Sequence, residues 1–91
     1  METRVASISI IVENPDSVES LNKILHEGGK YIIGRMGIPY REKNVSIISV
    51  AIDAPQDVIN SMSGSIGRLN GVQSKVIYSN VITKDETRDK E

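Results

Sequence analysis

Few side chains in this 91-residue sequence could carry out chemistry. It contains no cysteine and a single histidine, His26, which excludes a thiol nucleophile, a disulfide, a zinc finger and a His-rich metal site on this chain. The carboxylates are scattered, and no nucleophile stands beside a recognisable general base. We therefore expect no catalytic residues, no cofactor and no metal site, so the chain is not predicted to be an enzyme.

The best candidate for binding chemistry is the segment that follows the first apolar run. Asn14 can cap a helix and Pro15 suits its first position, and the N–H groups of a helix start attract an anion. Arg35 stands in an otherwise apolar segment, where it could hold a carboxylate through two hydrogen bonds. The candidate ligand-binding residues are Asn14, Asp16, Ser17 and Arg35. Plain helix capping and an outward-facing edge charge are the alternative interpretations.

Apolar periodicity assigns these residues to alternating strands and helices. The sequence has 14 Ile and 9 Val against 3 Leu, which favours a core dominated by β-sheet. Strands are predicted over residues 5–12, 30–38, 45–53 and 72–81, with a polar turn over 39–44. A first amphipathic helix is predicted from Asn14 to the Gly28-Gly29 stop, and a second from Ala54-Pro55 to Asn70-Gly71.

This order of elements predicts a split βαβ arrangement. A shift of 40 residues aligns Val12-Glu13-x-Pro15 with Ile52-Asp53-x-Pro55, so the chain resembles two copies of one strand–helix–strand unit. The predicted fold class is α+β, a ferredoxin-like βαββαβ sandwich with a four-stranded antiparallel sheet and both helices on one face. We expect a single domain over residues 1–83 and a charged, disordered C-terminal tail over residues 84–91.

The sheet face opposite the predicted helices is unusually apolar. Ile11, Val45 and Ile47 fall on this face among small residues, whereas a solvated sheet face normally shows polar side chains. Burying one isoleucine stabilises a protein by roughly 1.5–3 kcal/mol, so we expect this face to pack against another copy of the chain. The predicted oligomer interface consists of Ser7, Ser9, Ile11, Val45, Ile47 and Ser49.

Charge and hydropathy argue against two classes of partner. Residues 1–83 carry 8 basic and 8 acidic side chains, so the predicted domain lacks the basic footprint of a nucleic-acid-binding protein. No apolar run reaches the ~20 residues of a membrane span, and the first residues do not form a signal peptide, so we expect a cytoplasmic protein. The partners that remain are further copies of the chain, a small-molecule effector and a regulatory protein.

Several segments resemble a small bacterial family of proposed iron-only hydrogenase system regulators. The matching segments are Thr3–Val5, Ser9–Glu13, Arg35–Glu42 and Ser63–Val72, of which the patterns R-x-G-x-P and S-G-x-x-G-x-x-x-G-V are the most specific. The resemblance covers about residues 3–80. It implies an ACT-like fold related to the C-terminal domain of nickel-responsive repressors, a regulatory role associated with transcription, and homo-oligomers (dimers or tetramers) built through ACT-type sheets.

Two departures from the nickel-responsive relatives limit what carries over. Those relatives bind nickel with several histidines and a cysteine, which this chain lacks, so nickel binding is not expected. No ribbon-helix-helix segment precedes Val5, so we expect no DNA-binding domain and no direct contact with nucleic acid. ACT domains commonly bind amino acids at the loop after the first strand, which corresponds here to residues 14–17, although the usual glycine of that loop is absent.

The function expected from these observations is regulatory. We expect a module that forms oligomers and binds a small effector, without a DNA-binding domain of its own. The alternative is a structural or assembly subunit that binds another protein and no small molecule.

Overall fold

Two helices pack on one face of a four-stranded antiparallel sheet, as the sequence predicts. The computed structural model describes residues 2–84, with side chains described for residues 2–81. In chain order the elements are β1 (Glu2–Val12), α1 (Val18–Glu27), β2 (Ile32–Tyr40), β3 (Val45–Ala54), α2 (Gln56–Gly67) and β4 (Val72–Lys84). The strand order is β2-β3-β1-β4, which is the ferredoxin-like α+β arrangement. Apart from Lys84 at the end of β4, the predicted charged tail lies outside the described residues.

The core lies between the helices and the sheet. Every second residue of β1 from Ala6 to Val12 is buried, and β3 shows the same alternation from Ile48 to Ala54. This period of two is what a strand with one covered face requires. The largest fully buried side chains are Ile8, Ile10, Leu21, Leu25, Val50, Ile52, Ile59 and Ile66.

The second strand begins and ends later than the sequence predicts. Residues 30 and 31 belong to a 3₁₀ turn, Gly29–Tyr31, that follows α1, so the strand starts at Ile32 rather than at residue 30. At its other end, Pro39 pairs opposite Ser46 instead of forming part of a turn. β2 is an edge strand, where a residue without an N–H is tolerated.

The turn between β2 and β3 is correspondingly short. It consists of Arg41–Lys43 and is closed by Asn44, whose φ of 55° lies in the left-handed region that asparagine tolerates. β1 and β4 extend beyond their predicted ends because Glu2 pairs with Lys84. Pairing between strands, rather than apolar content, sets these boundaries.

Candidate functional site

The start of α1 is fixed to the turn before β4. Ser17 is buried, and its hydroxyl donates to the carbonyl of Asn70 at 2.6 Å. The N–H of Glu13 donates to the carbonyl of Gly71 at 2.7 Å. Gly71 itself lies directly against Asn14, where a Cβ added to the glycine would be 2.6 Å from the Asn14 Cβ. The two loops therefore form one rigid unit.

The N–H groups at this helix start are used within the chain. A 3₁₀ turn over Pro15–Ser17 leads into α1, and the side-chain oxygen of Asn14 accepts from the N–H of Asp16 at 3.0 Å. The N–H of Ser17 donates to the carbonyl of Asn14 at 3.0 Å, and the N–H of Val18 donates to the carbonyl of Pro15. Binding of an anion at a helix start depends on N–H groups that point at the ligand. Here these three N–H groups stabilise the turn instead.

Arg35 lies on the helix side of the sheet, against the flank of α1. It pairs in register with the buried Val50, and its guanidinium donates to the Oδ1 of Asn22 at 3.2 Å. Asn22 is six residues further along the chain than Asp16. The grouping of Arg35 with Asn14, Asp16 and Ser17 around one ligand therefore stays a prediction.

A cleft of about 100 Å³ opens beside the start of α1. Its lining residues are Val12, Pro15, Val18, Pro39, Tyr40, Arg41, Asn44, Val45 and Ser46. Val18, the first residue of α1, is exposed and forms part of this wall. The Tyr40 hydroxyl donates to Glu42 at 2.9 Å, which orients the ring.

The sheet face opposite the helices, here called the open face, carries side chains ordered by size. Three large residues lie side by side on β2, β3 and β1 and form the isoleucine row: Ile38, Ile47 and Ile11. They are 50%, 43% and 37% exposed, respectively. Four residues away on the same strands is the small row: Gly34, Ala51 and Ser7. Between them lies the middle row: Met36, Ser49 and Ser9.

All the residues predicted for the oligomer interface lie on the open face, on β1 and β3. Sequence reasoning missed the contribution of the two edge strands. Met36, Ile38 and Tyr40 of β2 are exposed on this face, as is Ile77 of β4. A register shift after Ile32 determines which β2 residues face outward, and it is not visible in the sequence. The alternation of Met36, Ile38 and Tyr40 was the one sequence pattern that could have indicated that β2 contributes to the open face.

A polar cluster at the far end of the sheet connects three elements. The Arg4 guanidinium lies 4.9 Å from the centre of the Tyr78 ring and donates to the carbonyl of Ser79 at 3.0 Å. It also donates to the side chain of Gln56 at 3.2 Å. The hydroxyl of Tyr78 donates to the side chain of Asn60. This arrangement connects β1 to α2 and β4.

Two further features concern the described part of the chain only. Within residues 2–81, no three acidic or histidine side chains converge on a position that could hold a metal ion. None of the helices in the described part is long and apolar enough to cross a membrane.

Comparison with known proteins assigns the family. Residues 4–76 match the TM1266-like family of proposed iron-only hydrogenase system regulators. The chain belongs to this family. It is also similar to the solved structure of uncharacterized protein TM1266 from Thermotoga maritima, with 30% identity and a TM-score of 0.80 over 84% of this chain and 96% of that chain. A search of curated proteins found no match.

Two more distant structures share the fold. A formyltetrahydrofolate deformylase from Pseudomonas putida KT2440 matches 85% of this chain with a TM-score of 0.63 and 12% identity, but over only 29% of its own length. The apo form of CPII from Thiomonas intermedia K12, a nitrogen regulatory PII-like protein, matches with a TM-score of 0.57 and 12% identity over 92% of this chain and 98% of that chain. At these identities the likeness concerns the fold alone.

Proposed function

We propose that this member of the TM1266-like family is a non-enzymatic regulatory module that acts as a homo-oligomer through the open face of its sheet. The family supports a regulatory role in the iron-only hydrogenase system. The observation that carries the self-association is the isoleucine row, whose three side chains lie exposed across three adjacent strands. Full burial of an exposed isoleucine contributes roughly 1.5–3 kcal/mol. Since these three side chains are 37–50% exposed, covering the row adds about half of that per side chain to the stability of the assembly.

The substitution Ile47→Lys tests this proposal. It places an ammonium group in the middle of the isoleucine row, so the mass measured by light scattering at micromolar concentration should fall from two or more chains to one. Lys23→Glu changes the charge of an exposed residue of α1 and serves as the control, which should keep the mass of the unmodified protein. A mass of one chain for the unmodified protein would overturn the proposal.

A small effector completes the proposed function. We propose that it binds at the start of α1 through the residues predicted from the sequence, Asn14, Asp16, Ser17 and Arg35. None of these four residues lines the cleft described above, which begins at the neighbouring Pro15 and Val18. The cleft of about 100 Å³ beside Pro15 and Val18 supports this location because it gives a small ligand a partly apolar wall next to the start of α1. Within the cleft wall, Arg41 offers a positive charge to an acidic ligand.

A further inference from the structure

The isoleucine row and the small row have complementary sizes on the same strands. On each of β2, β3 and β1, a large residue and a small residue lie four positions apart. In an antiparallel strand this separation is about 14 Å, with the middle row halfway between. Because the isoleucine row and the small row lie at equal distances on either side of the middle row, the open face can pack against a copy of itself.

We propose that a second copy of this chain covers the open face through a two-fold axis that crosses the strands at the middle row. This rotation places each strand of one copy over the same strand of the other copy, with the two strands running in opposite directions. The isoleucine row of each copy then lies over the small row of the other, with Ile47 above Ala51 of the partner subunit. The inference rests on the self-association proposed above and adds its register.

Packing decides between this arrangement and the other simple two-fold arrangement. An axis parallel to the strands, between β1 and β3, would place Ile47 above Ile11 of the partner subunit and Ala51 above Ser7 of the partner subunit. Isoleucines in contact would hold the sheets apart, and the facing small residues would leave a gap whose lining loses its van der Waals contacts. On β2, β3 and β1, the axis across the strands instead places an isoleucine side chain over each residue of the small row, so the central strands pack without that gap.

The size and charge of the open face suit an interface of this kind. Four strands about 4.8 Å apart and nine residues long give a flat area of roughly 600 Å², and protruding side chains raise its accessible area. A standard stable interface buries about 800 Å² per partner. The three rows contain no charged residue. On β4, Lys75 pairs with Ser9 of the middle row, so the proposed axis places it over the partner subunit's Lys75. Because β4 is an edge strand, the long side chains can turn both ammonium groups outward to solvent.

A charge-swap experiment tests the register. Ile47→Lys and Ala51→Asp, each alone, place an unpaired charge on the open face, and each variant should sediment as one chain. Mixed in equal amounts, the two variants should associate into a heterodimer. The heterodimer contains two contacts between position 47 of one chain and position 51 of the other. At one contact the introduced ammonium lies over the introduced carboxylate, and at the other the native isoleucine lies over the native alanine.

The matched control is a mixture of Ile47→Lys with Ile11→Asp, which meet only if the axis runs parallel to the strands. The inference predicts no association in this mixture. If the control mixture associates, or if neither mixture does while the unmodified protein is oligomeric, the register is overturned but self-association stands. If the unmodified protein sediments as one chain, both the register and the proposed function fail.

A neutral size swap provides a second, independent measurement. Ile47→Ala should weaken association at least tenfold, and adding Ala51→Ile to the same chain should restore it because the large and small positions exchange places. Both residues are exposed in the single chain, so the far-UV circular dichroism of the variants should match that of the unmodified protein. If Ala51→Ile does not restore association in a folded variant, the register is overturned.

Discussion

At the residue scale, Gly71 explains why the loop at the start of α1 is rigid. Its φ of 71° lies in the left-handed region, and it packs against Asn14 with no space for a side chain. Gly71→Ala should therefore lower the free energy of unfolding by about 2–4 kcal/mol, from backbone strain and overpacking together. Urea unfolding measures this. Gly29→Ala, where an added Cβ meets nothing within 4 Å, is the control, and equal losses in both variants would contradict the account.

Asp16 and Arg35 carry the residue-scale prediction about the effector. In a thermal-shift screen of amino acids and nucleotides, a ligand at 100 times its dissociation constant adds about 2.7 kcal/mol of stability. Asp16→Ala and Arg35→Ala should each reduce the shift given by a ligand that stabilises the unmodified protein, because both remove a charged group from the proposed site. Asn22→Ala removes the hydrogen-bond partner of Arg35 but keeps its charge, so it is the matched control. If neither Asp16→Ala nor Arg35→Ala changes the thermal shift given by the ligand, the proposed site is excluded.

At the scale of elements, the sequence predicted what local periodicity encodes. Alternation in β1 and β3 correctly assigned Ile11 and Ile47 to the face opposite the helices, because a period of two depends only on neighbouring residues. The limits of β2 could not be predicted in this way. They depend on pairing with β3, which includes Pro39 and excludes Lys30.

The candidate site shows the same limit of local information. Asn14 and Pro15 correctly indicated the start of a helical segment, since capping is a local interaction. The first turn of that segment is 3₁₀, however, and α1 itself begins at Val18, later than predicted. The hydrogen bond from Ser17 to Asn70 joins residues 53 positions apart, and no local pattern announces it. Tertiary contacts therefore decide which polar groups of a predicted site are available to a ligand.

Arg4 gives a prediction about how the elements are held together. Its guanidinium stacks on Tyr78 of β4 and donates hydrogen bonds to Gln56 of α2 and to the backbone of Ser79. Arg4→Ala should lower the free energy of unfolding by about 1–2 kcal/mol. Arg68→Ala, which removes only an exposed contact with Ser65 at 3.3 Å, should have less than half of that effect in urea unfolding. Equal effects would show that the Arg4 cluster does not connect the elements.

At the scale of the whole molecule, the two faces of the sheet differ in what covers them. The helices cover one face and bury a small core, and a domain of this size buries a smaller share of its surface than a larger one does. The open face keeps Val5, Ile11, Met36, Ile38, Tyr40, Ile47 and Ile77 between 37% and 71% exposed. The proposed association through this face would extend the apolar core across two chains.

The most direct test of this account is the mass of the unmodified full chain by sedimentation equilibrium across a range of micromolar concentrations. Coverage of the open face by a second copy predicts a mass of two chains or a multiple of two, with dissociation only on dilution. A mass of one chain throughout that range would contradict the central claim, because the isoleucine row would then remain in contact with water.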